Sequence, residues 1–265
     1  MALIHSFEYS GNYLFKKRGI IPLYILLLAI PLLIVRNIYF GNPISLSVLH
    51  VDIKPFIFIF SIIISLSGFF IRCYTIGTTP HGTSGRNRDK QLAKQLNTTG
   101  VYSIVRHPLY LGNYLMWAGA LLFSCDFMLF LVVSLIYWLY YERIMFAEER
   151  FLEKEFGETY ITWSLKVPAF IPAFKQFKKS TIPFSMKTAL RREYTSVLSI
   201  VFIYVIIDYI NSIIVSLSPH IKIYFYDGCF IRPSFYVLII VSFITFILRT
   251  LKHHTHLLDR IEGRD

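Results

Sequence analysis

The chain has 265 residues, 55% of them hydrophobic and only 16% charged, with a mean hydropathy of +0.53. Soluble domains carry about 25% charged residues, so this composition excludes an ordinary water-soluble fold and points to a bilayer. The net charge of +11 suits anionic lipid headgroups; no polar, aromatic-poor basic segment stands out, which argues against nucleic acid as a partner.

Segments able to cross about 30 Å of hydrocarbon run at roughly 20–40, 55–76, 126–146, 195–217 and 233–250, with a shorter one at roughly 109–124. The pattern predicts an all-α, polytopic integral membrane bundle of about six transmembrane helices, or five if the short segment does not cross. On that topology every one of the 27 Lys and Arg except Arg36, Lys54, Lys222 and Arg232 lies on one side. The positive-inside rule makes that side cytoplasmic, with the N- and C-termini both inside. No A-x-A-like cleavage site follows the apolar stretch Ile20–Val35, so a retained helix is expected there.

Residues 1–76 read as an N-terminal transmembrane hairpin with an outer loop at Gly41-Asn-Pro43. Residues 77–175 form a central unit. It opens with a polar inner loop (77–99) in which Asp89–Leu96 is predicted to be a short amphipathic surface helix. The run Gly100–Asn113 follows, then a helical hairpin turning near Ser124-Cys-Asp126. A charged helix closes the unit, stopped by Val167-Pro-Ala-Phe-Ile-Pro172. Residues 176–265 add a second transmembrane hairpin and a basic tail. Cys73, Cys125 and Cys229 have neither ligand nor redox spacing. Cys125 and Cys229 share the outer side, where a disulfide is open, but unpaired apolar cysteines are the expected state. Ile261-Glu-Gly-Arg264 spells a protease-tag sequence and is given no functional weight.

The chemistry concentrates in two stretches. In the first, Arg106 and His107 stand at the mouth of an apolar helix begun by Pro108, whose fixed φ and missing N–H suit a first turn. Exposed helix-start N–H groups beside an arginine make a local anion site. In the second, Glu142, Arg143, Glu148, Glu149 and Arg150 crowd the inner end of the fourth span, followed by Phe156-Gly157 and Tyr160. Taken alone, that run reads as easily as a solvated helix face with i,i+4 ion pairs. Its depth in the same leaflet as Arg106 and His107 raises the functional reading.

Together the stretches Gly100-x-Tyr102…Arg106-His107-Pro108-x-Tyr110-x-Gly112 and Arg143…Glu148-Glu149…Phe156-Gly157-x-x-Tyr160…Val167-Pro168…Pro172 resemble the isoprenylcysteine carboxyl methyltransferase and phospholipid methyltransferase family. The resemblance covers about residues 75–175. It implies an integral-membrane methyltransferase that uses S-adenosylmethionine without a Rossmann domain, and no Gly-x-Gly-x-x-Gly follows a strand here. It implies Tyr102, His107, Tyr110, Glu148 and Glu149 as cofactor-binding residues, and Arg106, His107 and Arg143 at the reacting centre. No metal is implied, and no obligatory protein partner. The acceptor is a lipid or lipidated group at the cytoplasmic leaflet: a carboxylate, a phosphate such as that of a lipid A-type glycolipid, or an amine.

Two other classes fit the sequence less well. Membrane steroid and sterol reductases, which bind NADPH, read Arg-His-Pro-Asn-Tyr-x-Gly-Glu where this chain has Leu109 and Asn113. A transporter is disfavoured because the charges gather at one face. Asp208 and Asn211, within the fifth span, read as interhelical hydrogen-bonding groups. His253, His254 and His256 read as part of a basic tail.

Overall fold

The computed structural model describes residues 2–40, 47–48, 51–80, 83, 91–217 and 232–258. Eight helices appear among them: α1 (Leu3–Lys17), α2 (Ile21–Phe40), α3 (Lys54–Gly77), α4 (Pro108–Phe123), α5 (Phe127–Phe156), α6 (Glu158–Ser164), α7 (Met186–Leu217) and α8 (Pro233–His254). A two-residue antiparallel pair, Ser47–Val48 with Val51–Asp52, joins α2 to α3.

Helices α3, α5, α7 and α8 are each long and apolar enough to cross a membrane, and α1 with α2, bent by 85°, makes a fifth unit. The lower of the two expected span counts holds. Helix α4 has 16 residues, about 24 Å at 1.5 Å per residue, short of the hydrocarbon thickness. It ends at a tight turn where Asp126 caps α5 by accepting from the Leu129 N–H at 2.8 Å. Helix α5 has 30 residues, about 45 Å, and overshoots the bilayer. Its last three turns, carrying Glu148 and Glu149, therefore lie at or beyond the membrane surface.

Close backbone approach fixes α4 against α3. A Cβ built at Gly112 would lie 2.6 Å from Arg72 Cγ and 2.8 Å from the Gly68 carbonyl oxygen, so only glycine fits. Ser61 and Ser65 face Gly119 in the same way; small residues let membrane helices meet at van der Waals distance. Ser65 Oγ donates to the Met116 carbonyl at 2.9 Å and shares a 2.9 Å hydrogen bond with Tyr204 of α7. Those two bonds dock the C-terminal hairpin onto the α3–α4 pair. Helix α8 has no buried residue and packs chiefly on α7, its apolar faces turned outward as lipid-facing surface. Asp208 behaves as expected of an interhelical group: both its carboxylate oxygens accept from Arg232 at 2.7 Å, and one also accepts from Ser234 Oγ.

Two local expectations change. Leu3–Lys17 is a helix of its own, packed along the overshooting end of α5 through Phe7 on Phe146 (ring centroids 5.7 Å apart) and the Glu8–Lys154 ion pair. The amphipathic helix expected at Asp89–Leu96 is absent where the structure describes it: Gln91–Leu96 is irregular. Most of the inner loop around Arg86, and Cys229 with its pairing question, lie outside the described residues.

Candidate active site

The run Val101–Pro108 crosses the mouth of the bundle as a short 3-10 turn, Val101–Ser103, and an irregular stretch. Backbone bonds to the segment after α6 hold it there. Arg106 N–H donates to the Pro168 carbonyl at 2.9 Å and His107 N–H to Ala169 at 3.3 Å. Ala173 N–H donates back to Ile104, and Gly100 N–H to Lys178. The Val167-Pro…Pro172 stretch, read from sequence as a helix stop, is thus the strap that positions the Arg-His pair. Gly100, at φ 63°, takes the left-handed turn into that strap, a conformation open to glycine at little steric cost.

Arg106 and His107 meet α5 at its overshooting end. His107 Nε2 lies 2.8 Å from Glu149 Oε1 and its Nδ1 lies 3.6 Å from Glu148 Oε2. Arg106 Nη1 is 3.3 Å from Glu149 Oε2, and Tyr110 OH donates to Glu148 Oε1 at 2.6 Å. His107 is 6% exposed. Burial pushes its imidazole toward the neutral form, but the hydrogen bonds and charges of Glu148 and Glu149 outweigh that and hold its pKa above the usual 6.5. That shift favours the protonated ring, with Nε2–H directed at Glu149 and the Nδ1 side facing Glu148. Tyr102 and Tyr160 flank the cluster, and burial, reinforced by Glu148 at Tyr102 and by Glu149 at Tyr160, raises both phenols above their usual range.

These groups wall a cavity of about 590 Å³, within the range of small-molecule sites. Tyr102, Arg106, His107, Tyr110 and Glu148 line it; Glu149 stands behind, against Arg106 and His107. Arg143 stands apart from them: its guanidinium lies 3.3 Å from the centroid of the Phe7 ring, a cation–π contact that helps seat α1.

The cavity has a second polar end that sequence reading missed. Arg72 of α3 gives two hydrogen bonds to Glu193 of α7, Nε to Oε2 at 2.8 Å and Nη2 to Oε1 at 2.6 Å. Its Nη1 donates to Asn113 Oδ1 at 2.7 Å, and Asn113 Nδ2 donates to Tyr141 OH at 3.3 Å. Arg72 counted only toward the inside charge, and Glu193 sits in a basic run. A carboxylate about two turns into a membrane-entering helix was the available signal.

The model of the phospholipid methyltransferase family matches residues 56–159. Residues 56–159 are thus similar to phospholipid methyltransferases over well under half of the chain. The matched segment contains Arg72, the Arg106–Asn113 run and Glu148-Glu149, whereas the strap and α7 lie beyond it. Of curated relatives, the protein-S-isoprenylcysteine O-methyltransferase of Schizosaccharomyces pombe is 35% identical over 89 residues, 34% of this chain and 36% of its own length. An Arabidopsis thaliana protein-S-isoprenylcysteine O-methyltransferase B is 35% identical over 79 residues, 29% of this chain and 40% of its own. The nickel-cobalt-cadmium resistance protein NccN of Alcaligenes xylosoxydans is 30% identical over 87 residues, 33% of this chain and 40% of its own. The chain therefore spans well under half the length of these relatives. No solved structure is significantly similar to it.

Proposed function

We propose that this integral membrane protein is an S-adenosylmethionine-dependent methyltransferase acting on an acceptor group carried by a lipid or a lipidated molecule. The observation that supports it most is the convergence of Arg106, His107, Tyr110 and Glu148 on one cavity, with Glu149 behind Arg106 and His107, within the segment matched by a methyltransferase family model. The donor set suits a zwitterionic, cationic-sulfur ligand. Arg106 Nε is buried without a hydrogen-bond partner, a donor left for a carboxylate. Glu148 reaches the cavity as an acceptor for ribose hydroxyls, an ammonium or a sulfonium.

Bound S-adenosylmethionine supplies an electrophilic methyl carbon. The chain's own part is to orient, desolvate and balance charge. Tyr110 fixes Glu148, and Glu149 fixes both His107 and Arg106. Arg106 and a protonated His107 together offset the two adjacent carboxylates, which leaves a charge-balanced wall. In-line transfer between aligned, dehydrated partners needs little else. The basic residues at the site end favour the cytoplasmic leaflet for this chemistry. No relative named above is a reductase.

The test is mass spectrometry of total lipids and lipidated proteins from cells with and without the gene. A species heavier by one methyl group, present with wild type and missing with Arg106→Ala or Glu148→Gln, is expected. An unchanged profile, or full methylation by both variants, contradicts the reading.

A further inference from the structure

The Arg72–Glu193 pair has features of a ligand-reading group. It sits in the wall of the cavity, it joins α3 to α7, and its α7 half lies outside residues 56–159. The two partners are unequally placed: the Arg72 side chain is 15% exposed and that of Glu193 3%. Both residues line the cavity, and the cation is the more exposed of the two. Both Glu193 oxygens are taken by Arg72. Arg72 has five N–H donors, of which two go to Glu193 and one to Asn113. One N–H on each terminal nitrogen is left over, the geometry with which a guanidinium grips an oxyanion.

The wider cavity agrees in sign. Arg18, Arg72, Arg106 and Arg192 line it against Glu148 and Glu193. The two polar ends are also close along α4, where Tyr110 reaches Glu148 and Asn113 reaches Arg72. Residues three apart on a helix are separated by about one turn, roughly 4.5 Å of rise. Tyr141 packs on Tyr110 with ring centroids 4.8 Å apart and accepts from Asn113, so one aromatic pair ties both ends together. An ammonium acceptor has to lose a proton before attack, and His107, the histidine in the cavity wall, already has each nitrogen against a carboxylate.

Resting on the methyltransferase reading above, we propose that Arg72, held by Glu193 and Asn113, is the acceptor-binding group and that the acceptor is an oxyanion on a lipid anchor, a carboxylate or a phosphate, not an amine. Helix α7 thereby supplies an acceptor-selecting wall to a methyl-donor site built by the family segment. The step balances without a base. An acceptor oxygen lone pair forms the O–CH₃ bond, the methyl–sulfur bond breaks with its electron pair left on sulfur, and no proton moves.

The test uses the full chain in nanodiscs with tritiated S-adenosylmethionine and three acceptors: N-acetyl-S-farnesylcysteine (carboxylate), phosphatidic acid (phosphate) and phosphatidylethanolamine (amine). Donor binding is measured separately by equilibrium dialysis. Label is expected in one or both of the first two and not in the third, which also separates the two oxyanion sources. Arg72→Gln is expected to cut transfer on the order of 100-fold, since a charge-assisted contact is lost, with donor binding within about twofold of wild type. Removing one partner of a buried pair endangers folding, so the neutral pair Arg72→Gln/Glu193→Gln is tested alongside. It is expected to fold, bind the donor and still fail to transfer. Methylation of the amine alone, or wild-type transfer by the neutral pair, overturns the proposal while leaving the methyltransferase reading intact. Failure of the wild type to bind S-adenosylmethionine overturns both.

Discussion

His107 is the residue on which the site's electrostatics turn. Its ring stacks on Tyr110 with centroids 5.8 Å apart and faces Glu148 and Glu149. The folded protein holds its proton more tightly than the unfolded chain, where imidazole titrates near 6.5. The resulting stabilisation is fully present below that value and is lost as pH rises through the higher folded value. Melting temperature measured from pH 6 upward in detergent is expected to fall more steeply for wild type than for His107→Gln. Parallel curves would show that the imidazolium is not bound as described. The Arg-His and Glu-Glu pairs were legible because charged residues at a membrane helix mouth are few and stand out. Arg72 and Glu193 were not, because a partnership between residues 121 apart in the chain leaves no local pattern.

At the level of elements, hydropathy located every long helix, and the turn at Asp126 followed from its polar residues. Helix α4, the short segment, does not make a full crossing, so the lower of the expected span counts holds. Two things escaped. Helix α1 was missed because its apolar positions (Leu3, Phe7, Phe15) are interrupted by Ser, Gly and Asn, and its partner is the far end of α5. The surface helix expected after Asp89 did not form where Gln91–Leu96 is described, since the stretch spends its side chains on the cavity wall. The α7–α8 clamp belongs to this scale too. Asp208→Ala leaves a partly exposed Arg232 unpaired, and a loss of about 1 kcal/mol is expected. That loss should be seen as a lower melting temperature with kcat for methyl transfer unchanged. A collapse of kcat in protein that remains folded would assign Asp208 a part in the chemistry.

Across the whole molecule, the segment matched by the family model, comprising α3, the connection to α4, α4 and α5, forms most of the cavity. Segments outside that match complete it: α1 braces α5, the 167–178 strap fixes the Arg-His run, and α7 supplies Glu193. Hydropathy and motif spacing made the family segment legible. They said little about the parts beyond it, whose roles arise from docking. The account stands or falls on which ligand the cavity takes. The most direct measurement is equilibrium binding of S-adenosylmethionine and of NADPH to the full chain in nanodiscs, for wild type and Glu148→Gln. Saturable binding of S-adenosylmethionine, weakened at least tenfold by Glu148→Gln and undisturbed by NADPH, is the expected result. Binding of NADPH without S-adenosylmethionine, or equal donor affinity in both proteins, would contradict it.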